Sequence, residues 1–259
     1  MLGLVTKGRS KKIDVINESI KDFNDLSHIH SDGWGVAWFE EDMIKNKKAP
    51  ECAVSSRLYC DTLHSIKSDI LMTHLRKADP GMPNLLQNSH PFVYKSMGIA
   101  FMHNGLIHDK EELRRLIPES IQNYIKGDTD SELFFWYIVS IAKLEKSNSW
   151  EDILKSALVS LHKHISFSSL NCCLITKEAL YMICDFNPES SQALQNPGYY
   201  EIYYSISPES VIVSSSGWDI PGRVYQLGNR KIITIKRHTL EYHTSDLLNS
   251  FSKHVQYSN

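Results

Sequence analysis

Three short polar stretches carry the side chains best suited to chemistry: Thr73-His74-Leu75-Arg76, His103-Asn104-Gly105 and Gly127-Asp128-Thr129-Asp130-Ser131-Glu132. Arg76 offers a planar fork that clamps a carboxylate in bidentate geometry, although a structural salt bridge would use it equally well. Asn104 and Gly105 follow an apolar run and can aim a side-chain amide and a backbone N–H at one developing oxyanion, which lowers the barrier to acyl transfer. Asn-Gly is also a favoured β-turn. Asp130 opens an apolar helical stripe, where a carboxylate either caps the helix or holds an ammonium group. A fixed cation, an oxyanion donor pair and a fixed anion, brought together, suit a free α-amino acid.

The remaining candidates read as supports. His90, in Asn88-Ser89-His90-Pro91-Phe92, is kept extended by the following proline and is expected to brace the pocket rather than react. His103 precedes the Asn-Gly pair in the same role. Gly33-Trp34-Gly35 opens a strand through glycines, which permits close backbone approach to a neighbour or ligand. Trp34, Trp38, Phe134, Trp136 and Trp150 read as core aromatics. His28 and His30 have no acidic or thiolate partner at a recognisable spacing, and His162 and His164, two apart on a helix, do not share a face. Both pairs read as loop or surface histidines, and no metal or other cofactor is expected.

These residues need elements to position them. Met1 to Thr6 reads as a buried strand, residues 14–27 as an amphipathic helix capped by Asp14, and Gly33 to Phe39 as a strand. Further strands are expected over Ala53 to Ser55, Ile70 to Arg76 and Gly98 to His103, with the proline-bearing stretch Ala78 to Pro91 a loop. Asp109 to Leu116 reads as a short helix. Asp130 to Leu144 is a longer one whose Thr129 and Glu132 have capping-box spacing, and a helix through Trp150, Leu154 and Leu161 follows. After Ser169 the texture changes to strands: 171–176, 180–185, 200–206, 211–215, 223–227 and 231–236. Strands, then helices, then strands predict an α+β layered domain with two sheets face to face between helices.

With 259 residues the chain can bury a full core, expected as one domain over 1–259. A net charge of −2 lacks the footprint of a nucleic-acid binder. The basic run Lys7 to Lys12 reads as a solvated loop. No stretch approaches a membrane span, and the N-terminus lacks the apolar run of a signal peptide, so a cytoplasmic protein is expected. Five scattered cysteines, with no C-x-x-C pair, read as small buried hydrophobes in a reducing compartment.

Taken in order, Asp32-Gly33-Trp34-Gly35, Thr73-His74-Leu75-Arg76, Asn88-Ser89-His90-Pro91-Phe92, His103-Asn104-Gly105 and Thr129-Asp130-Ser131-Glu132 resemble the class II glutamine amidotransferases. The resemblance is to the stand-alone branch of YafJ-like proteins and γ-glutamyl hydrolases, and it extends to the Val211 to Ser215 strand and a hairpin over Leu227 to Ile235. It implies the N-terminal-nucleophile hydrolase fold, a four-layer αββα sandwich. It also implies that Arg76 binds the α-carboxylate of glutamine, Asp130 its α-ammonium group, and Asn104 with Gly105 the oxyanion, with Trp34 and Gly35 beside the active centre.

The family's nucleophile is a cysteine at the first mature position, whose own free amine accepts the proton. This chain begins Met1-Leu2-Gly3-Leu4-Val5, and its first cysteine is Cys52. The nucleophile is therefore expected just upstream of Met1, in a natural protein that hydrolyses glutamine or a γ-glutamyl conjugate, with this chain as given inactive. A partner subunit that accepts ammonia goes with that reading. The alternative is a glutamine-binding regulatory subunit that has lost catalysis.

Overall fold

The alternation of buried side chains along the strands sorts them onto three apolar layers. A computed structural model describes residues 1–8, 19–145, 147 and 149–247. One sheet holds seven strands in the order β11-β9-β10-β1-β4-β2-β3. These are β1 (Leu2–Thr6), β2 (Gly33–Glu40), β3 (Met43–Ala49), β4 (Ile70–Arg76), β9 (Ile202–Ile206), β10 (Ser210–Ser215) and β11 (Val224–Leu227). The other holds six, in the order β13-β12-β8-β7-β6-β5. These are β5 (Phe92–Tyr94), β6 (Ile99–Asn104), β7 (Asn171–Ile175), β8 (Ala179–Cys184), β12 (Lys231–Lys236) and β13 (Tyr242–Asp246). Every pairing is antiparallel.

Between the sheets lie Val5, Ala37, Phe39, Ile70, Met72 and Val213 from the first, against Ala100, Met102, Leu180, Met182 and Ile233 from the second. Gly3 belongs to this face, where a Cβ would lie 2.6 Å from Leu180 Cδ1. The outer face of the first sheet, with Leu2, Trp34, Val36 and Leu71, packs against Phe23 of α1 (Ser19–Asp25) and against Tyr59 and Leu63 of α2 (Arg57–Ser65). The outer face of the second, with Phe101, Leu174 and Ile183, packs against α5 (Asp130–Leu144) and α6 (Trp150–His164). The shorter α3 (Lys110–Arg115) and α4 (Glu119–Gln122) extend that layer through Leu113 and Ile121. The result is the expected αββα sandwich. No described helix is long and apolar enough to cross a membrane.

Four expectations need correction. Ala53–Ser55 is a single 3-10 turn; the strand of that region is β3, a lysine-rich edge whose sequence hides it because only Ile44 is buried. Leu227 to Ile235 is not a hairpin: β11 pairs with β9 and β12 with β8 and β13, so Gly228-Asn229 carries the chain from one sheet to the other. Cys172, Cys173 and Cys184 are buried, but Cys52 is half-buried and Cys60 exposed. One member of each histidine pair also departs from the surface reading: His30 and His162 are half-buried, whereas His28 and His164 are exposed as expected. The described part of the first helix starts at Ser19; its proposed beginning at Asp14, and most of the Lys7 to Lys12 run, lie outside the described residues.

At one end the sheets are bolted together. Arg237, just after β12, donates through Nε to Asp69 Oδ1 at 2.6 Å and through Nη2 to the Glu41 carbonyl at 2.9 Å. Both charged side chains are fully buried. Asp69 precedes β4 and Arg76 ends it, so the functional residues collect at the opposite end.

Candidate functional site

Strand parity gathers the site. On β4, His74 and Arg76 share the side of Ile70 and Met72, between the sheets. On β6, Asn104 follows Ala100 and Met102 onto the same side. On β10, Ser215 follows Val211 and Val213, and Met1 precedes Val5 on that face of the first strand. All five therefore face the gap where the sheets part. Together with Asp79, His30, His90, His103, Gly105 and Asp130 they line a cavity of about 510 Å3, within the size range of small-molecule sites.

Arg76 is buried at 5% exposure. Its Nη1 donates to Asn84 Oδ1 at 3.0 Å and to the Asp32 carbonyl at 3.4 Å, and among the described residues no carboxylate reaches it in a salt bridge. Burial lowers its pKa, against the pull of Asp32 and Asp79. A buried guanidinium held by neutral oxygens is matched to an incoming anion. The Asp32 side chain fixes the adjoining loop, accepting from Ala78 N at 2.8 Å and from Asn84 Nδ2 at 3.2 Å.

Asp130 stands in the first turn of α5. Thr129 caps that helix by accepting from Glu132 N at 3.1 Å. The Glu132 carboxylate reaches back past the cap to the amides of Lys126 and Gly127, at 2.9 and 2.6 Å. Asn88, fully buried, accepts from Asp128 N at 3.0 Å. This network fixes the turn. One Asp130 oxygen accepts from Ile107 N at 2.7 Å, and the other has no protein partner among the described residues. Asp79 brings a second carboxylate to the cavity, its pKa raised by burial and then by Asp130, with Arg76 pulling the other way.

Gly105 is tightly enclosed, since a Cβ would lie 2.0 Å from the Ser169 carbonyl oxygen. Its N–H and the Asn104 side-chain amide make no protein hydrogen bond among the described residues, so both donors are available to a ligand. His103 supports them from the helix side, with Nδ1 2.9 Å from Ser131 Oγ and Nε2 3.0 Å from the Ser169 carbonyl.

Gly35 approaches the His90-Pro91 segment, and a Cβ there would meet the His90 carbonyl oxygen at 2.0 Å. Lys48 ties the same segment down, donating to the carbonyls of Ser89 at 2.5 Å and Pro91 at 3.3 Å; burial lowers its pKa to about 8. The His90 ring lies 4.2 Å from that of His74, and neither of its nitrogens has a partner. Burial pushes both His74 and His90 well below the ordinary imidazole range, and lowers His103 as well. Trp34 is fully buried in the outer core and does not line the cavity.

His30, expected in a surface loop, lines the cavity, and burial lowers its pKa to about 4. The Met1 amine donates to Ser215 Oγ at 3.1 Å, and burial lowers it to about 5. Asp79, Asn84, Asn88 and the Met1 amine escape sequence reasoning: each lies in a loop or at a terminus, where no periodicity marks which side chains point inward. Only the Asn88-Ser89-His90-Pro91-Phe92 cluster gave a signal. No cysteine lines the cavity among the described residues, and burial raises the thiols of Cys172, Cys173 and Cys184. Nor do the described residues hold a group of three or more His, Cys, Asp or Glu placed for a metal ion.

Comparison with known proteins bears on the family and the fold. Residues 10–202 match the family model of the class-II glutamine amidotransferases. An uncharacterised protein of Methanocaldococcus jannaschii is 32% identical over 185 residues, covering 68% of this chain and 49% of that protein. A glutamine amidotransferase predicted in Haemophilus influenzae is 32% identical over 123 residues, covering 46% of this chain and 39% of that one. The chain thus spans half or less of the length of these relatives. A solved class-II glutamine aminotransferase domain protein from Silicibacter pomeroyi superposes with a TM-score of 0.65 over 95% of this chain and 99% of its own; at 18% identity it speaks for the fold.

Proposed function

The chain belongs to the class-II glutamine amidotransferases, and from that premise we propose that its inter-sheet cavity binds the amino-acid end of glutamine or a γ-glutamyl conjugate for cleavage of the γ-amide. The observation that carries the reading is the buried Arg76 guanidinium, free of any carboxylate partner among the described residues, in the same cavity as the half-satisfied Asp130. Arg76 takes the α-carboxylate and Asp130 the α-ammonium group, with Asp79 as a second carboxylate on the wall. The γ-carbonyl then lies toward Asn104 and Gly105.

In the reaction, a thiolate attacks the γ-carbonyl carbon and the oxyanion is held by the Asn104 side-chain amide and the Gly105 N–H. Collapse breaks the C–N bond and expels ammonia or an amine, which takes up a proton. Water then hydrolyses the γ-glutamyl thioester to glutamate and regenerates the thiol. The buried core cysteines are unsuited to the attack, and Met1 lines the cavity, so the reading takes the nucleophile from a cysteine two residues upstream of Met1. Released ammonia is passed to an acceptor domain or partner subunit. The second reading, a glutamine-binding regulatory subunit, is favoured by a cavity wall without cysteine among the described residues.

The test compares the chain as given with one extended by Met-Cys-Arg, measuring glutamate release and, by calorimetry, glutamine binding to the chain as given and to its Arg76→Ala variant. The proposal expects binding to both forms, a roughly hundredfold weaker Kd for Arg76→Ala, and activity only in the extended form. Binding without activity in either form supports the regulatory reading. Binding indifferent to Arg76 rejects both.

A further inference from the structure

A second cavity, of about 610 Å3, adjoins the first and shares Leu106, Ser168 and Gln192 with it. Leu106 directly follows the Asn104-Gly105 donor pair. The second cavity therefore opens beside the donor pair on which the γ-amide is proposed to sit. Ammonia, the leaving group from free glutamine, has no use for a space of this size.

Several polar side chains stand on the wall of this space among Leu106, Ile165, Phe167 and Phe186. His162, near the end of α6, donates from Nε2 to Asp185 Oδ2 at 2.7 Å. That carboxylate is fully buried, and its other oxygen has no partner. The Phe167 ring packs edge-on against His162 at 4.9 Å, so the imidazole is fixed at the wall from two sides. His108 Nε2 stands 3.1 Å from Ser168 Oγ, on the boundary between the two cavities. Arg230 completes the set from the turn between β11 and β12, with a left-handed φ of 59°. Its guanidinium has no ion pair among the described residues. Glu189 is the one acidic side chain in the lining, and it is exposed. An unpaired guanidinium and two imidazoles around one cavity match a carboxylate.

We propose that the second cavity is the subsite for the amine half of a γ-glutamyl amide, and that Arg230, His162 and His108 select an amine carrying a carboxylate: a γ-glutamyl amino acid or short peptide. The inference rests on the assignment of the first cavity to the γ-glutamyl group. Preorganisation of His162 by a buried partner lowers the ordering cost of binding.

The test is calorimetric binding of γ-glutamyl-glycyl-glycine and of its C-terminal amide, ligands that differ only in the terminal charge, with glutamine as the reference. The acid is expected to bind roughly tenfold more tightly than the amide, as for one charge-assisted contact. Arg230→Asn, a residue that tolerates the left-handed backbone, is expected to abolish that difference and leave the glutamine Kd unchanged; His162→Gln is expected to reduce it. If glutamine binds in an Arg76-dependent way while acid and amide bind alike, the subsite is overturned and the glutamine assignment stands. If neither glutamine nor the peptides bind, both fall. If inorganic phosphate binds in an Arg230-dependent way without weakening the peptide, the cavity serves a separate anion and the proposal is overturned.

Discussion

At the scale of single residues, the cavity combines charges without an ion pair among the described residues and groups kept neutral by burial. His74 and His90 are held neutral, so their folded-state pKa values lie below the unfolded value of about 6.5. Stability is then fully present above about pH 6.5 and is lost as the pH falls below it, because the unfolded chain takes up protons that the folded chain refuses. Each such imidazole contributes a slope of up to about 1.4 kcal/mol per pH unit. His90→Phe, which puts a ring without nitrogens where neither nitrogen is bonded, is expected to remove about one proton from that dependence. Urea unfolding midpoints between pH 7.5 and 5 measure it, and an unchanged slope rejects a neutral buried His90. At Gly105 the obstruction is backbone, which cannot swing aside: the Ser169 carbonyl oxygen and carbon lie 2.0 and 2.6 Å from a Cβ. Gly105→Ala is expected to cost about 2–3 kcal/mol in urea unfolding and to weaken binding of any ligand that uses the displaced N–H.

At the scale of elements, the turn that presents Asp130 depends on Glu132, whose carboxylate serves two amides, that of Gly127 buried. Glu132→Ala strands both and is expected to lose about 2–3 kcal/mol, against about 1 kcal/mol for Thr129→Ala, which removes one cap. Thermal unfolding gives the ranking, and glutamine calorimetry should show a weaker Kd in both, since Asp130 rides on the same turn. The sequence made this helix legible because its apolar stripe, cap and acidic first turn agree, and the observed bounds match those expected. Arg76 and Asn104 are legible because each closes an apolar strand run, and Asp130 because it opens the helical stripe; which face of each strand they take is not, since both strands are buried almost throughout. Strand β13, in which only Ser245 is less than exposed, offers no such periodicity. The Gly228-Asn229 turn looked like a hairpin because turn chemistry specifies a reversal of direction and not the sheet that receives it. The i, i+2 spacing of His162 and His164 tells only that the two do not act together; it cannot show that His162 alone turns inward to Asp185, 23 residues away.

For the whole molecule, a bolt at one end and a cavity at the other divide stability from binding. The seven residues of β4 separate Asp69 from Arg76 by roughly 20 Å. Arg237→Ala leaves the buried Asp69 with the exposed His238, 2.8 Å away, as its remaining ionic neighbour. It is expected to destabilise the fold by about 3–5 kcal/mol while leaving the glutamine Kd, measured well below the unfolding transition, within twofold of the parent. A large change in affinity would show that the two ends are coupled.

The central place of β1 in the seven-stranded sheet has a kinetic consequence. Its neighbours are β10 and β4, and the hydrogen bond from Met1 to Ser215 spans 214 positions of sequence. On a ribosome, β1 must wait for β10 before it is paired on both sides. Contacts this remote in sequence carry a high loop-closure cost and fold slowly. The wall of the cavity formed by Met1 and Ser215 thus waits on β10, and a nascent chain released before β10 emerges lacks it.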